Sequence, residues 1–303
     1  MLAIGAANMD ITASTQQLLA AGDSTPGQVR YAAGGVARNV AENLARLGHQ
    51  VCFLSAVGDD LHGRGLLEHT HKAGVDTRAC WTVPGAATSS YVSLHGADGD
   101  MAFAINDMAI LEHITPERLA NQAEKLRTAS AWVLDCNLSE AALEWLFTHA
   151  PDIPVFVDPV SAFKCRRLLP WLAQVHTLKA NRLEAQALWG CAVESDCAVK
   201  DATRWLHAQG VVCVVLSLGE RGVYWSARDG ASGWQAAIPV SVRTATGAGD
   251  ALLAGLLHGH LQDLPLRQSV LFAVGCAALT LTANQANHPD LSAAAVQQLI
   301  GAG

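Results

Sequence analysis

Charge is scarce in this chain of 303 residues: Asp, Glu, Lys and Arg make up 16% of it and leave a net charge of −7. No cluster of Lys and Arg occurs, so no nucleic-acid partner is expected, because that role needs a basic patch or stripe. Long hydrophobic runs are missing too. The longest, Val270 to Ala283, would make a helix of about 21 Å, too short for a ~30 Å hydrocarbon core. It reads as a buried helix, and no membrane partner is expected. The N-terminus MLAIGAANMDI lacks a basic leader and a cleavage pattern, which predicts a cytoplasmic protein. Cysteine is not rare, with eight, but no CxxC pair exists. Cys52, Cys80, Cys136, Cys165, Cys191, Cys197, Cys213 and Cys276 sit mostly among apolar neighbours and read as reduced core thiols. The pairs His69/His71 and His258/His260 are spaced i,i+2, which on a helix turns the rings to different faces and suits a shared metal poorly. Asn137-Leu138-Ser139 fits a glycosylation sequon, which without an export signal is a chance match.

Two nucleotide motifs are also absent. No Gly-x4-Gly-Lys-Ser/Thr run occurs, and a dinucleotide fingerprint would need a third small residue where Leu252 stands.

What is present is a chain that is 50% hydrophobic, enough for a large core. Its length lies near the limit where one core gives way to a domain plus an appendage. One domain over residues 1–303 is expected. Strand-like apolar segments recur at Leu2 to Ala7, Val51 to Ala56, Trp132 to Cys136, Val155 to Val157 and Val211 to Leu218, separated by helical patterns. That alternation predicts an α/β fold with a mostly parallel sheet flanked by helices. Val36, Val40, Leu44 and Leu47 form one helical stripe, and Leu252, Leu253, Leu256, Leu257 and Leu261 another. Residues 11–33 and 81–108 break the alternation. In the second, TSSYVSLHGADGDMAFAIND reads as two strands joined across Gly96 to Gly99. The two segments predict a small inserted β-sheet lid near the strand ends, where ligands of open α/β sheets bind.

The most informative stretch is TATGAGDALLAGLL, Thr244 to Leu257. Gly247, Ala248 and Gly249 let backbone amides turn inward together, and the leucine-rich run behind them starts a helix whose positive end faces the same point. Such a point attracts an anion. An aspartate there, Asp250, would be repelled by a bound phosphate unless it takes a proton from the group attacking that phosphate. Asp250 is thus the candidate catalytic base, and Gly247, Ala248 and Gly249 the candidate anion hole. Read alone, the stretch is more simply a glycine turn capping a helix. Near the front, Gly34 and Gly35 precede a helix that carries Asn39 in its first turns, a backbone that admits a ligand closely beside an amide that both donates and accepts. Alone, this too reads equally as a turn with an N-terminal asparagine.

Together, GGVARN, TGAGD and the order of elements resemble the PfkB, or ribokinase-like, carbohydrate kinase family from about Gly5 to Pro289. The resemblance implies the ribokinase-like fold, ATP as phosphoryl donor and Mg²⁺ as metal. Gly5 to Asp10 resembles the family's first strand, which makes Asp10 a sugar-hydroxyl ligand and Asn8 its helper. Asp158-Pro159 matches an Asp-Pro pair at a central strand end. Lys179 to Glu184 resembles the family's Asn-x-x-Glu element, so Asn181 and Glu184 would position Mg²⁺ and phosphates through water. Without the resemblance, those two read as a helix start with an acidic first turn. Leu216 to Val223 resembles the strand and turn that receive the nucleotide, giving Ser217 and Gly219, and Asn287 lies near the expected adenine region. Thr244-Ala245 departs from the family's Asp-Thr, which leaves a K⁺ requirement open.

Segments including TSSYVSL, AINDM, DCNLSE and VDPVSAFKC resemble a branch of the family whose acceptor is the nucleoside pseudouridine. Asn106 and Asn137 are then candidates for the uracil edge, and each is also an ordinary turn asparagine. Lys164 ranks lower. Another nucleoside or a sugar is the alternative acceptor, and a non-catalytic ligand sensor the alternative role. A homodimer is expected from the resemblance and the lid edges.

Overall fold

The structure is a computed structural model that describes residues 1–301 apart from Ala21, Gly99 and Pro151. The predicted hairpin turn at Gly96 to Gly99 therefore lies partly outside the described residues. In chain order the strands are β1 (Leu2–Ile4), β2 (Asn8–Ser14), β3 (Gln28–Gly34), β4 (Cys52–Leu54), β5 (Ala56–Gly58), β6 (Trp81–Val83), β7 (Ser90–His95), β8 (Met101–Asp107), β9 (Trp132–Asp135), β10 (Val155–Asp158), β11 (Thr177–Asn181), β12 (Cys213–Ser217), β13 (Val223–Ala227) and β14 (Ser232–Gln235). The α-helices are α1 (Val36–Arg46), α2 (Leu61–Lys72), α3 (Pro116–Ala120), α4 (Ala123–Thr128), α5 (Glu140–His149), α6 (Arg182–Trp189), α7 (Asp196–Ala208), α8 (Ala248–Leu261), α9 (Leu266–Leu281) and α10 (Ala293–Gly301).

Eight strands form the central sheet in the order β14-β13-β12-β11-β10-β9-β1-β4. The run from β12 to β4 is parallel, and β13 and β14 close one edge antiparallel. Short apolar runs such as VFVD become strands here because helices cover both faces, so successive side chains enter two different cores. Leu2, Ile4, Trp132, Leu134, Val155 and Val157 join α5, α6 and α7 on one side. Ala3, Val133 and Phe156 join the apolar residues of α1, α8 and α9 on the other. Each fully buried Leu or Phe contributes roughly 1.5–3 kcal/mol, so both layers are strongly driven onto the sheet. Helix α9 is the buried helix expected around Val270, and among the described residues no helix is long and apolar enough to cross a membrane.

A separate four-stranded sheet has the order β3-β2-β7-β8. It starts at Asn8 rather than Ile11, because β1 runs almost directly into β2. Trp81–Val83, counted with this sheet from sequence, pairs instead with Ala56–Gly58. The sheet's register sorts its side chains. Ile11 lies opposite both Tyr31 and Val92, and Val92 opposite Ile105, so these share one face. Asp10, Tyr91 and Asn106 lie in the next row and share the other.

The eight cysteines are all free thiols. Cys136, Cys165 and Cys276 are buried, but Cys191 and Cys197 are exposed, because the loop after α6 and the first turn of α7 lie at the surface.

Candidate active site

The carboxyl ends of adjacent parallel strands gather polar groups that the strand interiors exclude. Asp135 ends β9, Asp158 ends β10, Asn181 ends β11 and Ser217 ends β12, with Asp158 in register with Asp135 and Asn181 with Ser217. Helix α8 begins over this edge. Its N-cap is Gly247, at φ 82°, with no side-chain cap on the first turn. The opening amides of a helix have no intrahelical partner, so those of Ala248, Gly249 and Asp250 present donors and the positive end of the dipole. A Cβ on Gly247 would lie 1.9 Å from the Ala286 carbonyl oxygen, and one on Gly249 2.6 Å from Lys179 Nζ. At Gly247 close approach to backbone, as much as the turn, requires glycine, while a side chain at Gly249 would crowd the Lys179 ammonium.

Asp250 sits inside that turn and is 8% exposed. Its Oδ2 accepts a 2.7 Å hydrogen bond from Asn39 Nδ2. Burial, and then the Asp158 carboxylate, raise its pKa from 3.8 to about 7, against the pull of Asn39, Lys179 and Arg38. A carboxyl poised near neutrality takes up a proton efficiently at working pH. Lys179 is buried and donates to Asp158 Oδ2 at 2.8 Å. Burial disfavours its charge, but Asp158, Glu184 and Asp250 outweigh that and raise its pKa. The ammonium therefore stays charged beside the open amides, where an anion would bind. Asp158 Oδ1 accepts from the amide of Val160, a β-branched residue held at φ 69°, a strained conformation of the kind that collects at functional sites.

The predicted acceptor residues converge from the other side. Asn8 donates to Asp10 Oδ1 at 2.6 Å, and burial raises the Asp10 pKa. The Asp10 carboxyl packs on Gly34, where a Cβ would stand 2.5 Å from it, and a Cβ on Gly35 would strike the Ala6 carbonyl oxygen at 2.3 Å. Asn39 then links this wall to Asp250. Asn137 is buried, its Oδ1 accepts from Lys164 Nζ at 2.6 Å, and its side chain also hydrogen-bonds the Asp135 carboxylate, which leaves at most part of its amide for a ligand. Asn106 is exposed on β8, in one row with Asp10 and Tyr91.

At the carboxyl ends of β11 and β12, Asn181, Ser217 and Gly219 line a cavity of about 470 Å³ together with Arg182, Leu183, Leu218 and Arg221. Glu184 is braced from within its own helix: Asn181 donates to both of its oxygens at 2.8 Å, closing a capping box on α6. The expected role, contact with Mg²⁺ through water, asks no more than the lone pairs that remain. Among the described residues no group of three or more His, Cys, Asp and Glu side chains could hold a metal ion. That donor set fits Mg²⁺, which takes most of its ligands from phosphate and water, and fits no metal needing a protein cage. The Asn287 side chain is turned toward α1: its Oδ1 accepts from Arg38 and its Nδ2 donates to the Asn39 carbonyl and Asn43 Oδ1, so both of its N–H groups brace that helix.

Sequence reasoning missed Lys179, Arg38 and Tyr91. A lysine inside the apolar strand TLKAN and an arginine within a buried helix were the available signals, since a buried charge requires a partner. Tyr91 had none, because only register places it beside Asp10.

A parallel α/β sheet with anion-holding amides and a buried carboxylate over its carboxyl edge, plus a small sheet alongside, defines a ribokinase-like phosphotransferase acting on an alcohol group. Comparison with known proteins agrees. Residues 1–293 match the pfkB family carbohydrate kinases, and the chain belongs to that family. It is 46% identical to the pseudouridine kinase of Escherichia coli over 98% of this chain and 95% of the relative. A putative sugar kinase from Clostridium perfringens superposes with a TM-score of 0.87 at 30% identity, covering 100% of this chain and 95% of the other. A putative ribokinase II from Escherichia coli, solved in complex with ATP and Mg²⁺, superposes with a TM-score of 0.85 at 18% identity, covering 100% and 99%.

Proposed function

We propose that this protein transfers the γ-phosphoryl group of ATP to the 5′-hydroxyl of pseudouridine. One observation carries the chemistry: a buried carboxylate, Asp250, lies in the first turn of a helix whose amides are open, with Asn39 holding it at 2.7 Å. The choice of acceptor rests on the resemblance to the Escherichia coli pseudouridine kinase. Asp10, Asn8 and Asn39 hold the ribose against the Gly34-Gly35 backbone, so that its 5′-oxygen lies beside Asp250. That carboxylate accepts the hydroxyl proton as the oxygen attacks phosphorus in line. The amides of Gly247, Ala248 and Gly249, with Lys179, stabilise negative charge on the transferring group. Mg²⁺, when bound with the nucleotide, neutralises charge on the phosphate oxygens. Asn181 and Glu184 would hold its hydration shell, and the cavity at Ser217 and Gly219 would take the nucleotide. Asn137, its oxygen turned to Lys164, offers a donor to a uracil carbonyl, and Asn106 joins it when the small sheet folds down as a lid. MgATP as donor places this work in the cytoplasm.

The small sheet also supports a homodimer. Val29, Tyr31, Val92, Phe103 and Ile105 are all large, exposed and on one face of it. An apolar patch of that kind on a monomer marks an interface, and a second copy supplies the same apolar chemistry by symmetry.

ADP release with pseudouridine, uridine, adenosine, ribose and fructose as acceptors tests the assignment. Pseudouridine gives the highest kcat/KM, and a preference of more than about tenfold for any other acceptor overturns it. Running the same assay with and without K⁺ decides the monovalent-cation requirement.

A further inference from the structure

Arg38 is 1% exposed, on a helix whose one other buried charge is Glu42. All three nitrogens of its guanidinium donate. Nε donates to the Gly34 carbonyl at 2.9 Å and Nη1 to Glu42 Oε2 at 2.6 Å. Nη2 serves the Ala33 carbonyl, Asn287 Oδ1 and, in a very short contact, Asn39 Oδ1. The contact with Asn39 has a chemical consequence. A guanidinium has donors and no acceptor, so it can face only the oxygen of the Asn39 amide. The NH₂ group must then point away from Arg38, and there it meets Asp250 Oδ2. In the flipped amide, donor would face donor on one side and oxygen would face carboxylate on the other.

We propose that Arg38 is a positioning residue for phosphoryl transfer, acting through Asn39 to aim and hold the Asp250 carboxylate. The proposal rests on the reading of Asp250 as the base. Glu42, itself buried, supplies the counter-charge. Burial works against its ionisation, but His69, Arg38 and Arg46 outweigh that and hold its pKa at about 2. The charged groups facing Asp250 are Arg38 from α1, Asp158 from β10 and Lys179 from β11, with the neutral Asn39 in direct contact. Of the two cations, only Arg38 also touches the residue that grips the carboxylate. A lysine in its place would keep the positive charge beside Glu42 but could not serve Gly34, Glu42, Asn39 and Asn287 together, because an ammonium lacks the planar fork.

Arg38→Lys tests this, with the double substitution Arg38→Met/Glu42→Gln as a second variant that leaves no buried charge unpaired. Asp250→Asn is measured beside them. In whichever variant keeps a cooperative thermal transition, kcat is expected to fall by roughly 10- to 100-fold, the cost of misplacing a reacting group by an ångström or less. Nucleotide Kd is expected to stay within about twofold, and the acid limb of kcat/KM to move to higher pH as the carboxylate loses its donor. A folded variant with near-wild-type kcat and an unmoved acid limb overturns the role of Arg38. If Asp250→Asn itself retains turnover, the base assignment fails instead, so the two failures are told apart.

Discussion

Replacing Asp250 by Asn tests the chemistry and the burial of this residue at once. The change keeps the side chain's shape and an oxygen for Asn39 to donate to, and it removes the charge. General-base help is typically worth roughly 10²- to 10⁴-fold, so kcat falls by at least about 100-fold with little change in nucleotide affinity. Stability moves the other way. Burial first, and Asp158 second, raise the Asp250 pKa from 3.8 to about 7. A carboxyl whose folded-state pKa is raised contributes stability that is complete below the unfolded-state value and is lost as pH rises through the folded-state value. Near pH 8 the wild-type chain therefore carries a buried charge that the variant lacks, a difference on the order of 4 kcal/mol at about 1.36 kcal/mol per pH unit. Urea unfolding at about pH 8 and about pH 4 measures it. The variant is expected to be the more stable protein at the higher pH, with the gain shrinking toward zero at the lower. In the wild type, kcat/KM rises about tenfold per unit up to about pH 7 and then levels. A variant that keeps kcat within about tenfold, or that is less stable than wild type near pH 8, refutes the reasoning.

Other perturbations probe the surroundings. Gly247→Ala forces a Cβ onto a left-handed φ and to 1.9 Å from the Ala286 carbonyl oxygen. It should cost more than about 2 kcal/mol, read as a lowered urea midpoint at unchanged slope. Lys179→Met leaves the Asp158 and Asp250 carboxylates without their shared ammonium and should cost about 3–5 kcal/mol near neutral pH, a loss that thermal unfolding would reveal and that should ease on acidification. Phe103→Asp with Ile105→Asp places charge on the apolar face of the small sheet. If this face is the proposed dimer interface, sedimentation equilibrium should give dimer for the wild type and monomer for the variant, and a wild-type monomer or an unchanged variant dimer would refute that interface.

Much of this protein was legible from residue order because its signals are local. Apolar runs too short to be helices, alternating with amphipathic stripes, are enough to demand a parallel sheet with both faces covered. TGAGD followed by a leucine-rich run demands a helix with open amides, since glycine permits the turn and no side chain caps it. Asp250, Asn39 and Gly34 were legible as candidates for the same reason: each is a polar or missing side chain beside a backbone feature that its neighbours dictate, whereas Asp10 was a candidate only through the family resemblance of its segment.

Partnership was not legible, because a partner is chosen by distance in space. Asn287 stands 248 residues from Asn39, yet it donates to the Asn39 carbonyl, and only the folded chain reveals that its amide is consumed as a brace. Glu184 carries the right chemistry for a metal, and only the folded chain reveals that the capping box at the start of α6 also holds both its oxygens in place. Lys179 and Arg38 became comprehensible once burial was seen, because a charge removed from water must be answered by carboxylates or carbonyls from other elements. Strand pairing between segments far apart in the chain put Tyr91 and Asn106 in the row of Asp10. The sequence alone determined which groups are available and what backbone each can adopt. The tertiary structure decided which of them meet, since the electrostatics that fix a pKa or an amide's orientation act only between groups brought within a few ångströms.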